Sequence, residues 1–233
     1  MGIEENLSSS QLRIIPLQKL SASRIAAITE YIQYNSKEPT LAFFQWNKAI
    51  TLANYQSAED VNLELAKKNN YQIVRLLGGG RAYIHNNDIS FLLILPNYHQ
   101  RFSAEENYSF VATRFIQSFN YFGLNSELKN AKKYGYDVYA NGKILLGLAS
   151  NIDKNSLMIH GAFYYNQPDY NLSIKLIKDY SLEDAVLLKK NVGYFLEHSD
   201  AKLDDLINTI IKSFSNNYFP KKLSNEELKE IDG

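Results

Sequence analysis

The chain has 233 residues, 45% of them hydrophobic and 21% charged, with a formal net charge of zero. That is a globular composition, long enough for one sizeable core or one large and one small domain, and the balanced charge supplies no global field toward nucleic acid or an anionic membrane. The absence of cysteine excludes disulfides, thiolate metal sites and a thiol nucleophile, and with no apolar leader and no apolar run longer than residues 89–96 the expected location is the cytoplasm, with no membrane span.

In chain order, residues 12–18 read as a short strand. Residues 21–35 carry apolar positions at helical spacing (Ile25, Ile28, Ile32), with Ser21 or Ser23 as a cap. Residues 40–46 and 49–55 are rich in β-formers, and Asn47-Lys48 between them reads as hairpin-like punctuation. Residues 58–70 form a short helix with acid at its start and base at its end. Two strands, 71–77 and 88–96, flank a glycine loop, and the continuous apolar run of the second predicts burial on both faces. The clearest helix spans 103–123, opened by a Ser103/Glu106 capping box and stopped by Gly123. Residues 136–150 read as a hairpin turning at Asn141-Gly142. Another strand follows at 156–166, then helices at 181–190 and 200–214, and a short capped helix at 224–231. Hairpins dominate, so the expected fold is α/β (α+β): a mixed, largely antiparallel sheet flanked by helices. Residues 1–233 are expected to form one domain, with 181–233 as a candidate small helical C-terminal subdomain.

The glycine loop lies in the stretch VRLLGGGRAYIHNNDISF, residues 74–91. A phosphate-binding P-loop needs Lys-Ser/Thr after its glycines, and Arg81-Ala82 follows here. A dinucleotide fingerprint opens a helix, and a strand follows here. The local pattern leaves two readings open: a tight turn, or backbone passing against a ligand.

Arg75, Gly78-Gly79-Gly80, Tyr83, Asp88, Ile89 and Phe91 fall at the spacing of the lipoate–protein ligase motif, R-R-x-S/T-G-G-G-A-V-Y-H-D-x-G-N/D-L-N-F, without a gap. Upstream, residues 39–75 resemble the strand, Gln and helix run of that family. Downstream, YDVYANGKILLGLAS resembles N-D-I-x-x-x-G-x-K-I-x-G-x-A-Q, and His160-Gly161 resembles its H-G strand. The chain therefore resembles the lipoate–protein ligase family, within the biotin/lipoate ligase superfamily, over roughly residues 12–215. The resemblance implies ATP- and Mg²⁺-dependent activation of lipoate or octanoate to an acyl-adenylate, then transfer to a lysine of a lipoyl carrier domain, with a separate small accessory subunit as a candidate partner and no nucleic acid.

On matching positions the resemblance implies that Gly78, Gly79 and Gly80 pass against the acyl chain and that Arg75 supports the loop or the phosphate. It places Tyr83 and Gly147 among the ligand-binding residues, Asp137 near the metal or adenine, and His160 near the acyl carbonyl. Each has a plainer alternative: Arg75 pairing a carboxylate, Asp137 as a turn acid, His160 as a core histidine. The motif also departs from the family at Leu77, Arg81, Ile84-His85, Tyr136 and Leu146, and Ile144 stands at the catalytic lysine's position. Lys143, next to it, is the candidate replacement, but neighbours on a strand face opposite ways, so it reaches the site only through a one-residue shift such as a bulge; its alternative is a solvated turn lysine. The cysteine-dependent octanoyl and lipoyl transferases of the superfamily are excluded as a mechanism. The second reading of the whole chain is an inactive relative that binds an acyl ligand or a lipoyl-domain partner.

Overall fold

The computed structural model describes residue 7 and residues 10–78, 82–86, 88–98, 103–131, 135–153, 156–178 and 190–232. Eleven strands make two sheets among these residues. The large one holds β1 (Leu12–Leu20), β2 (Thr40–Trp46), β6 (Asp88–Leu95), β7 (Ser126–Ala131), β8 (Gly135–Ala140), β9 (Lys143–Asp153), β10 (Ser156–Tyr164) and β11 (Tyr218–Pro220). Its order is β11-β1-β2-β6-β10-β9-β8-β7. β1 pairs in parallel with β11 and β2, and every later pairing is antiparallel. The small sheet is β4-β3-β5, from β3 (Ala49–Leu52), β4 (Gln72–Arg75) and β5 (Tyr83–His85). The mixed, largely antiparallel sheet with flanking helices is thus the observed architecture.

Two layers cover the large sheet. On one face α3 (Ala104–Tyr121) and α5 (Leu203–Phe214) bring Phe115, Phe119, Ile210 and Phe214 onto Phe43, Phe91, Leu93 and Phe163. On the other, α1 (Ala22–Asn35) lays Ile25, Ile28 and Ile32 over Ala42, Phe44, Leu92 and Ile94. Alternate residues of β6 therefore enter different cores, and all eight are buried. That explains the unbroken apolar run, since a strand covered on both faces has no solvent side to mark with polar residues. A third cluster (Ile50, Leu52, Val61, Ile84, Leu176) holds the small sheet against α2 (Leu63–Lys68) and α4 (Tyr170–Leu176). A last helix, α6 (Asn225–Asp232), is held by Arg13, whose two terminal nitrogens donate to the Glu227 carboxylate at 2.7 and 2.9 Å.

Local chemistry sets the element ends. Ser21 caps α1, accepting from the Arg24 amide. The Ser103/Glu106 capping box is present in both directions. Asn141 and Gly142 take positive φ, 50° and 82°, as a two-residue hairpin turn requires. One expectation is corrected. Strands β2 and β3, on either side of Asn47-Lys48, do not pair: β2 lies between β1 and β6, and β3 between β4 and β5. The turn carries the chain from one sheet to the other. The expected helix at 181–190 falls almost wholly outside the described residues, and no described helix is long and apolar enough to cross a membrane.

Candidate functional site: a cavity between the two sheets

A cavity of about 230 Å³ opens between the large sheet, the small sheet and α1. Phe44, Leu92, Met158 and Ile25 give it apolar walls, and Gly78, Gly147, Gly161, Tyr83, Asp137 and His160 also line it. Of these glycines Gly147 borders open space, a Cβ there meeting Asp137 Oδ1 at an ordinary 3.6 Å, whereas the other two are hemmed in by neighbours. A Cβ on Gly161 would lie 2.5 Å from the Gly147 carbonyl oxygen and 2.7 Å from the Phe91 ring. A Cβ on Gly78 would enter the imidazole of His160. What passes so close to the first loop glycine is thus this ring, on β10, and Leu76, Gly78 and Ala82 line the cavity. Gly79 and Gly80 lie outside the described residues.

Polar groups also line the cavity. Asp137, on β8, faces Gly147 across the strand pair. Burial raises its carboxyl to about 6. His160 pairs with Leu92 on one side and Ala149 on the other. Burial, and then the neighbouring His85, push it down to about 4, so it is neutral at pH 7. Its Nε2 is buried and has no hydrogen-bond partner among the described residues. Tyr83 is raised well above 10 by burial and stacks on Tyr164 at 5.8 Å.

Two predicted residues stand elsewhere. Arg75 donates from Nη1 to the carbonyls of Ala53 (2.6 Å) and Asn54 (3.0 Å), which ties the loop after β3 to β4 and does not line the cavity. Lys143 pairs through Nζ with Glu197 and lies outside the cavity lining. The β8–β9 pair does carry an irregularity: Val138 faces Leu146, while Tyr139 faces Ile144, so Leu145 is the extra residue. Residues directly opposite on paired strands share a face. The bulge therefore sets Ile144 on the side of Asp137 and Gly147, and Lys143, opposite Ala140, on the other.

Four further polar residues form a connected set. His85 lies between Thr51 Oγ1, 3.0 Å from Nε2, and Asp88 Oδ2, 2.7 Å from Nδ1. Ser90 Oγ donates to the same Asp88 oxygen at 3.3 Å and accepts from Trp46 Nε1 at 2.8 Å. The Trp46 ring stacks on His85 at 4.1 Å. Thr51, His85 and Ser90 line the cavity, and all are buried. In the sequence, His85 stood out only as a departure from a motif. Thr51, 34 residues away, carried no local signal.

As to a metal, no group of three or more His, Asp or Glu among the described residues could hold one. Asp137 is the single carboxylate among the described lining residues, and no Lys or Arg is among them. The described residues thus fit a dication or a triphosphate poorly.

The fold defined by these two sheets is that of lipoate–protein ligases. The chain superposes with a TM-score of 0.84 on a bipartite lipoate–protein ligase of the lipoylation system of Thermoplasma acidophilum, at 19% identity, covering 96% of this chain and 91% of that one. On a lipoate–protein ligase A bound with ATP the TM-score is 0.83 at 18% identity, covering 95% and 93%. By sequence, octanoyltransferase LipM of Brevibacillus brevis is 24% identical over 72% of this chain and 70% of its own length. That of Oceanobacillus iheyensis is 22% identical over 58% and 56%. The family of the lipoyl protein ligase A/B catalytic domain matches residues 22–214, and the chain belongs to it.

Proposed function

We propose that this protein takes a lipoyl or octanoyl chain into the cavity between its sheets and passes the acyl group to a lysine of a lipoyl carrier domain. The observation that carries this reading is the apolar cavity, left open at Gly147 and with His160, His85 and Asp137 in its lining. An aliphatic chain fits such walls, and the polar lining groups suit its carbonyl. Residues 1–233 are read as one catalytic unit. The pairing of β11 with β1 and the packing of α5 on α3 support including the C-terminal helices in it.

Two routes could supply an activated acyl group. Activation by ATP and Mg²⁺ places a polyphosphate in the site and calls for cations beside it. Lys143 is held by Glu197 and Arg75 by carbonyls, and no described lining residue is cationic. That favours an acyl group that arrives already activated as a thioester, in keeping with relatives named octanoyltransferase. The ATP-dependent ligase is the second reading, favoured by the likeness to the ATP-bound ligase. In it Arg81 is the candidate to supply the charge, because Lys143 lies on the other face of β9.

One experiment separates these readings: intact-mass analysis of a lipoyl domain incubated with the protein and either octanoyl-pantetheine, or octanoate with ATP and Mg²⁺. An octanoyl gain from the thioester alone is the expected result. A gain that needs ATP makes the protein a ligase. No gain under either condition, with octanoate bound in calorimetry, makes it an acyl-binding relative without the chemistry.

A further inference from the structure

We infer that Thr51 is an acyl-accepting nucleophile, with His85 as its base and Asp88 holding that base in place. This rests on the reading that the cavity receives an acyl group, and goes beyond it by naming a covalent carrier.

Three observations carry the inference. The first is connectivity. Asp88 Oδ2, His85 Nδ1, His85 Nε2 and Thr51 Oγ1 form one chain at 2.7 and 3.0 Å. A carboxylate only accepts hydrogen bonds, so Nδ1 carries a proton, and in the neutral imidazole Nε2 then presents its lone pair to the threonine hydroxyl. Hydroxyl, imidazole and carboxylate in that order are the arrangement that turns a weak oxygen nucleophile into a reactive one.

The second is location. Thr51 and His85 line the same cavity as Asp137 and His160. The third is support. Trp46 stacks on the His85 ring, and its indole N–H holds Ser90, which donates to the His85-bound oxygen of Asp88. A tryptophan, a serine and a buried aspartate devoted to one imidazole fix its tautomer and its plane, which a base requires and a spacer does not. The chain contains no cysteine, so a covalently held acyl group needs an oxygen or nitrogen atom to hold it.

The chemistry balances without an oxidant or a metal. The Thr51 oxygen attacks the carbonyl carbon of an acyl thioester while His85 Nε2 takes the hydroxyl proton. The C–S bond breaks, the thiolate leaves with that proton, and an oxygen ester remains on Thr51. A neutral lysine amine of the carrier then attacks the ester carbonyl. The C–O bond breaks, the amine proton returns through His85 to the Thr51 oxygen, and the amide departs.

The test is rapid-quench intact mass of the full chain with octanoyl-pantetheine, before and after addition of a lipoyl domain, with peptide mapping of any adduct. One octanoyl group on Thr51, lost as the carrier lysine gains it, is the expected result. Thr51→Val keeps the side-chain shape and is expected to abolish the adduct while octanoate affinity, read by calorimetry, stays within about twofold. Asp88→Asn is expected to slow acylation at saturating thioester by roughly 10³–10⁴-fold with the same affinity, a split that loss of packing alone would not produce. Transfer to the carrier that is undiminished in Thr51→Val, or an adduct mapped elsewhere, overturns the relay and leaves the cavity reading standing. Octanoate binding without any adduct or transfer also overturns it. Absence of binding overturns both.

Discussion

Gly78 is held to its hydrogen by one ring. Because a Cβ there would enter the imidazole of His160, whose strand β10 is held between β6 and β9, Gly78→Ala must push loop or ring aside, at a cost of about 1–3 kcal/mol. Octanoate affinity in Gly78→Ala is expected to fall roughly tenfold or more in calorimetry, and His160→Ala in the same chain is expected to restore it in part. An unchanged affinity in the single variant would place the acyl chain elsewhere. Asp137 makes a second prediction. Its folded pKa of about 6 exceeds the ordinary carboxylate value because burial disfavours the charge. The folded state therefore binds the proton more tightly than the unfolded one, and this group lowers stability as pH rises from about 4 to about 6, with the full penalty above. Asp137→Asn is expected to stabilise the protein at pH 8 by up to roughly 2–3 kcal/mol and hardly at all below pH 4, as read from urea melts. His160 acts oppositely. Its depressed pKa of about 4 gives stability that is present above pH 6.5 and lost as pH falls toward 4.

At the scale of elements, what was legible was local. The α3 capping box, the Asn141-Gly142 turn and the doubly covered β6 are each set by residues a few positions apart, and each stands as read. The resemblance also led to His160, Gly147, Tyr83 and Asp137, which do meet around one cavity. The rest depends on partners far along the chain. Asn47-Lys48 signals a turn but cannot say that the next strand joins another sheet. β5 is three residues long, and β11 exists through its pairing with β1. A threonine on β3 becomes interesting only when β5 brings His85 to it. The β9 bulge shows the same limit. A regular strand puts residues 143, 145 and 147 on one face, and the extra residue at Leu145 reverses this for 143 and 144. Periodicity alone could not assign a side to Lys143, and the position facing the site is an isoleucine.

Across the whole molecule, the end of the chain fastens its beginning. Arg13, 4% exposed on β1, donates both terminal nitrogens to Glu227 on α6 and contacts the carbonyls of Lys221 and Lys222. The guanidinium holds the Glu227 carboxyl below its usual range through these hydrogen bonds. Arg13→Met keeps the apolar stem and removes the charge. It is expected to destabilise by about 1–3 kcal/mol and to make residues 221–232 the first site of limited proteolysis; wild-type resistance there would mean that α6 is held by packing alone. The pairing behind this clasp also sets a schedule. Leu12 pairs with Tyr218, and the two are 206 residues apart. At a synthesis rate of about 5–20 residues per second, the outer edge of β1 waits roughly 10–40 seconds for its partner to leave the ribosome. During that interval the Leu12–Ile14 edge of β1 has no β11 to pair with, so the clasp is among the last parts of the sheet to close.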